Sequence, residues 1–121
     1  REFLLARAAA AEAAGVPRDR IAIDPDIGFG KTKLHNLQLL AGLETLVKTG
    51  YAVLLGASRK RFMGSVCNVA EYHELTGATC ATTALGVLAG VRVFRVHDIR
   101  DNRQALDVTW ALKEQMSGVS P

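Results

Sequence analysis

Ala52-Val53-Leu54-Leu55-Gly56-Ala57-Ser58-Arg59-Lys60 decides the fold: an unbroken apolar run ends abruptly in small and then cationic residues. A strand apolar on both faces is buried on both faces, as in parallel sheets covered by helices. The polar residues at its carboxyl end fall where barrels and open α/β sheets bind their ligands. Two other runs repeat the design. Ile21-Ala22-Ile23 ends in Asp24-Pro25 and a loop, residues 26–33, that holds two glycines. Residues 91–96 read as a third strand, closing on Arg95, His97 and Asp98.

Around these runs the spacing turns helical. Residues 3–14 are Ala-rich, with Gly15 as a stop and Pro17 just beyond. Leu34, Leu37, Leu40, Leu43 and Val47 predict a second helix ending at Gly50. A helical turn is expected within residues 59–64, and a helix of small residues after Gly77. Ala105, Val108, Leu112 and Met116 form the stripe of a last helix, opened by Asp98 or Asp101. This alternation predicts one α/β unit over residues 1–121. Three strands cannot close an eight-stranded barrel, which runs to about 250 residues. The expectation is therefore an incomplete (β/α)8 TIM barrel, the last three βα units with a preceding helix.

Composition narrows the function. The chain is 49% hydrophobic and 22% charged, which suits a packed core; with 6% aromatic residues that core should be aliphatic. A net charge of +3 with scattered cations does not argue for nucleic-acid binding, though it suits a small anion. Cys67 and Cys80 lack metal-ligand spacing, so no zinc site is expected and a reduced, cytoplasmic setting is the default. The weakly polar residues 77–91 are too short for a bilayer span of about 20 residues. The chain opens without a signal peptide or an initiating Met, which reads as a truncated or excised chain.

Each candidate residue has an ordinary reading when taken singly. Asp24-Pro25 is a turn, and Gly28-Phe29-Gly30-Lys31 matches neither phosphate-loop pattern. Arg59-Lys60-Arg61 is a solvated basic surface, and His97-Asp98 a capping pair. Their joint placement on successive strand ends changes the odds. A carboxylate, several cations and an imidazole on one rim suit a ligand with a donor-rich ring and an anionic group.

Three stretches carry a resemblance to the dihydropteroate synthase family. They are Asp24-Pro25-Asp26-Ile27-Gly28-Phe29-Gly30-Lys31-Thr32 with His35-Asn36, then Gly56-Ala57-Ser58-Arg59-Lys60-Arg61-Phe62, then Arg95-Val96-His97-Asp98. They occur in the family's order, and similarity extends over almost the whole chain. The resemblance implies a transferase of folate biosynthesis, the target of sulfonamides. It condenses p-aminobenzoate with 6-hydroxymethyl-7,8-dihydropterin pyrophosphate, giving 7,8-dihydropteroate and pyrophosphate. It also implies that Asp24 binds the amino-pyrimidine edge of the pterin and that Lys60 contacts the ring and its acceptors. Arg95 and His97 are implied to hold the pyrophosphate; Phe29, Ser58 and Arg59 are implied to line the p-aminobenzoate pocket, beside Gly28. Arg59 and the start of the following helix suit the p-aminobenzoate carboxylate. Lys60, Arg95 and His97 would take the catalytic roles. The implied Mg²⁺ has its ligand outside these residues, and a homodimer through the last helices is implied. Partners are small molecules, with no nucleic acid and no membrane.

Two departures stand out. The family's usual Gly at position 26 is Asp26 here, a residue that tolerates left-handed backbone better than most but adds charge beside Asp24. The strands that would precede these three are absent, so this stretch alone is expected to be inactive and to need cover for its strand edges. Two rival readings are a corrinoid-dependent pterin methyltransferase and a non-catalytic βα module. Ser58-Arg59-Lys60 favours the synthase over the methyltransferase, which has no need of a p-aminobenzoate pocket.

Overall fold

The computed structural model describes residues 2–28 and 32–118. Ala-rich sequence forms α1 (Glu2–Ala13). It stops at Gly15, whose φ of +104° suits glycine, while Val16 N–H closes back on Ala11 O at 3.0 Å. The apolar runs become β1 (Ala22–Ile23), β2 (Ala52–Leu55) and β3 (Val93–Phe94). They form a parallel sheet in the order β1-β2-β3. Register pairs Ala22 with Ala52 and Ile23 with Val53, then Leu54 with Val93 and Leu55 with Phe94.

Three predicted elements differ. The Leu-rich helix is two, α2 (Lys33–Ala41) and α3 (Leu43–Val47), parted at Gly42. Leu40, Leu43 and Leu46 are buried, whereas Leu34 and Leu37 are exposed. A spacing of three lags the 3.6-residue turn by about 60° per step, so the leading leucines rotate out of the core. The third strand is shorter than residues 91–96, because Val91 N–H still bonds Gly86 O at 2.9 Å and so belongs to the preceding helix end. The polar stretch after β2 builds more helix than one turn: α4 (Arg61–Cys67), ended by Asn68 at φ +57°.

α5 (Thr76–Ala89) lies across β2 and β3. Its approach depends on Gly86, where a Cβ would stand 2.7 Å from the Phe94 ring and 3.1 Å from Leu55. α6 (Ile99–Gly118) starts at Asp98, whose carbonyl accepts Asn102 N–H at 3.1 Å. The predicted stripe does not face α5: Val108, Leu112 and Met116 are exposed and Ala105 is half-buried. Instead α6 meets α5 through polar groups. Thr83 Oγ1 donates to Asn102 Oδ1 at 2.7 Å, and Lys113 Nζ to Val87 O at 2.9 Å. The core is aliphatic as expected, built on Ile23, Val53 and Leu55 with Leu43 and Leu75. No helix among the described residues is long and apolar enough to cross a membrane.

Candidate functional site at the strand ends

The register of β2 and β3 does not stop where the sheet does. Leu54 and Leu55 pair with Val93 and Phe94 at a constant offset of 39 residues, and side chains continue that offset. The Arg95 guanidinium lies on Gly56, where a Cβ would stand 2.7 Å from its Nη2. Ser58 Oγ is 2.8 Å from His97 Nδ1 and also accepts His97 N–H at 2.9 Å. Arg59 grips Asp98 with two bonds, Nε to Oδ2 at 3.2 Å and Nη2 to Oδ1 at 2.7 Å. The loops after β2 and β3 are thus laced together rung by rung.

Arg59 has a left-handed backbone, φ +54°, which is uncommon for a long side chain. Its N–H is held by buried Thr79 Oγ1 at 3.0 Å, and that hydroxyl in turn donates to Leu75 O at 2.9 Å. With the backbone and the guanidinium both tied, Arg59 is fixed, and Lys60 after it turns toward β1. The fork with Arg59 holds the Asp98 carboxyl below the usual carboxylate range, with help from a hydrogen bond to Thr76. The same fork raises Arg59.

Among its described residues, the β1 loop bonds to itself and to α2. Asp24 Oδ1 accepts Asp26 N–H at 2.8 Å, and Asp26 takes the left-handed φ of +55° anticipated for position 26. Gly28 N–H donates to Asn36 Oδ1 at 2.7 Å, while Asn36 Nδ2 donates to Thr32 O at 3.0 Å. Thr32 caps α2 by accepting His35 N–H at 3.1 Å. Contact with the β2 loop comes from the Lys60 stem, which passes so close to Gly28 that a Cβ there would meet Lys60 Cδ at 2.8 Å. Gly28 therefore serves both its φ of +91° and this passage.

Of the residues expected at the site, Gly28, Arg59 and Lys60 line one cleft of about 530 Å³, together with Lys33 and Asn36. Asp24 lines a separate hollow of about 490 Å³ with Pro25, Asp26 and His35. Asp24 and Lys60 thus line different hollows. Arg95 and His97 are exposed on the rim. Phe29 lies outside the described residues. Ser58 and Arg59 are present at the site, but the Ser58 hydroxyl and the Arg59 fork are engaged by the β3 loop. Sequence reasoning missed Thr79, and it quoted Asn36 within a family motif without seeing that it holds the loop; each is a buried polar side chain within a helical stretch. No group of three or more His, Cys, Asp or Glu side chains among the described residues could hold a metal ion.

A parallel sheet with cations, an imidazole and a carboxylate at its carboxyl ends places this chain in the α/β class whose ligand sites lie beyond the strand ends. More narrowly, the chain belongs to the family described as pterin binding enzyme, whose model matches residues 1–97. It is 44% identical over 108 residues to the inactive dihydropteroate synthase 2 of Mycobacterium leprae, covering 89% of this chain and 37% of that one. It is 43% identical over 108 residues to the dihydropteroate synthase of Streptococcus pyogenes, covering 88% and 41%. Among solved structures, it resembles the dihydropteroate synthase of Thermus thermophilus in complex with 4-aminobenzoate, at 43% identity and a TM-score of 0.86. That match covers 92% of this chain and 42% of the other. The chain therefore spans about two fifths of the length of the curated relatives it matches.

Proposed function

We propose that this chain supplies the last three βα units of a (β/α)8 barrel in a dihydropteroate synthase. The complete enzyme joins p-aminobenzoate to 6-hydroxymethyl-7,8-dihydropterin pyrophosphate and releases pyrophosphate. The observation that carries this reading is the laced rim: Lys60, Arg95 and His97 stand on adjacent strand ends with their loops fixed before any ligand arrives. The relatives' names point the same way. Fixed cations at a rim suit a reaction whose barrier lies in separating a polyanionic leaving group.

Asp24 takes the amino-pyrimidine edge of the pterin, since a carboxylate accepts two parallel N–H donors as it accepts a guanidinium. Lys60 lays its stem along the ring and donates to ring acceptors. Arg95 and His97 hold the pyrophosphate and stabilise the charge that grows on it. Its departure leaves a cation at the pterin methylene, delocalised into the ring; the p-aminobenzoate nitrogen attacks that carbon and gives up one proton to solvent. The protein's work is positioning and charge stabilisation. Since the Arg59 fork is spent on Asp98, Arg59 lines the p-aminobenzoate pocket mainly by keeping its wall in place. Mg²⁺ is the cofactor this family reading brings, with its ligand outside these residues, and no step here depends on it. The exposed Val108, Leu112 and Met116 on α6 form the face on which a second copy would pack into a homodimer.

The test uses the full-length polypeptide that carries this chain, with Mg²⁺, the dihydropterin pyrophosphate and labelled p-aminobenzoate. Labelled dihydropteroate is the expected product. Folded protein that binds pterin yet forms none would instead establish a non-catalytic relative, a reading that Asp26 favours.

A further inference from the structure

Ser58 is 6% exposed, and its oxygen already accepts the His97 backbone N–H at 2.9 Å. A buried hydroxyl hydrogen needs an acceptor, and His97 Nδ1 stands 2.8 Å away. If Nδ1 carried the proton, two donors would converge on one oxygen and the hydroxyl hydrogen would have no acceptor in this network. The arrangement that satisfies every group puts the hydroxyl hydrogen on the Nδ1 lone pair and the ring proton on Nε2. His97 is exposed, and no hydrogen bond to Nε2 is formed among the described residues.

From this we infer that Ser58 is a positioning residue that holds His97 as its Nε2–H tautomer, so that the neutral ring offers a donor to an incoming phosphate oxygen. The other tautomer would present a lone pair to an anion and repel it. The inference rests on the proposed pyrophosphate role of His97 for its purpose, but not for its geometry. Asp98 and Arg59 form the next rung and keep the two loops at the spacing this bond requires. Ser58 thus acts on the leaving group through His97, at the opposite end of the reaction from the p-aminobenzoate pocket.

The test is nitrogen-15 NMR of the histidine rings in the full-length protein near neutral pH, with His97 assigned by its loss in His97→Gln. The expected pattern is a protonated Nε2 and an unprotonated, downfield Nδ1. Ser58→Ala should turn that pattern into a tautomer mixture, and Ser58→Thr should restore it. A protonated Nδ1 in the parent, or a pattern unchanged by Ser58→Ala, overturns the inference. If Ser58→Ala does not fold, the parent spectrum and Ser58→Thr still decide it. Titration with inorganic pyrophosphate then separates the inference from the function it serves. Ser58→Ala should weaken pyrophosphate roughly tenfold; equal affinity would overturn the positioning role while keeping the synthase reading. A parent whose Nε2 ignores pyrophosphate, with the tautomer still set by Ser58, would remove the leaving group from this rim and leave the tautomer control standing.

Discussion

The β3 side of the site and the β1 side are built on different plans. Between β2 and β3 the strand register runs on as side-chain rungs, Ser58 with His97 and Arg59 with Asp98, anchored from below by Thr79. Between β1 and β2, among the described residues, the loop bonds to its own residues and to α2, and the Lys60 stem passes against Gly28. Under the proposed function, the rigid side faces the pyrophosphate and the self-contained side faces the pterin. Charge separation gains from donors that need not move, because their ordering cost falls in folding and not at the barrier.

The largest effect that sharpens this contrast is Arg95→Ala in the full-length enzyme. Removing a preorganised donor aimed at a growing anion costs on the order of 10²–10³ in turnover. Steady-state kinetics should show the loss in kcat, with pterin affinity little changed. Turnover within a few-fold of the parent would place the leaving group elsewhere.

Next come two buried polar anchors, one per side. Thr79 is fully buried and Asn36 is 2% exposed. Thr79→Val keeps the shape but strands the Arg59 N–H; Asn36→Leu strands the Gly28 N–H. Each should cost roughly 1–3 kcal/mol, read as a lower urea midpoint at unchanged slope. The difference lies in reach. Thr79→Val should disturb His97 ring resonances, because the rungs share one register, and Asn36→Leu should leave them alone. Equal disturbance by both would mean that the two sides are one unit.

A smaller effect tests the Arg59–Asp98 rung. The Asp98 carboxyl titrates below its ordinary range in the folded protein, chiefly through Arg59. Its contribution is therefore complete above the unfolded carboxylate pKa, near 4, and fades as pH falls through the lower folded value. The stability difference between the parent and Asp98→Asn should stay level from pH 7 to about 5 and shrink below about 4. A difference that widens toward acid would mean the rung is not an ion pair.

Much of this was legible in the chain. Unbroken apolar runs located all three strands, and the polar residues closing them located the rim. The helices were harder where spacing had to be converted into facing. Leucines three apart drift around the axis, so Leu34 left the core, and the stripe on α6 proved to be its exposed face. The rungs were least legible. The resemblance gave Ser58 and Arg59 pocket-lining roles; that they also meet His97 and Asp98, 39 residues away, only the strand register shows. Position 26 was the opposite case, since the departure from Gly to Asp carried its own backbone prediction, and φ +55° agrees with it.

Asp26→Gly is the finest probe of the β1 side. Glycine relieves the left-handed strain but adds freedom to the unfolded chain, and the two nearly cancel, leaving a stability change under about 1 kcal/mol. The added charge beside Asp24 is a separate matter. An exposed carboxylate within a Debye length of about 8 Å of a polyanion weakens its binding modestly, by about two- to threefold. Asp26→Asn isolates that effect, because Asn accepts the same backbone conformation without the charge. Equal gains in pyrophosphate-substrate affinity for Asp26→Gly and Asp26→Asn, diminishing with added salt, would place the effect in electrostatics. A gain confined to Asp26→Gly would mean that the backbone at position 26 sets the pterin wall, and the β1 loop would then be as tightly specified as the laced side.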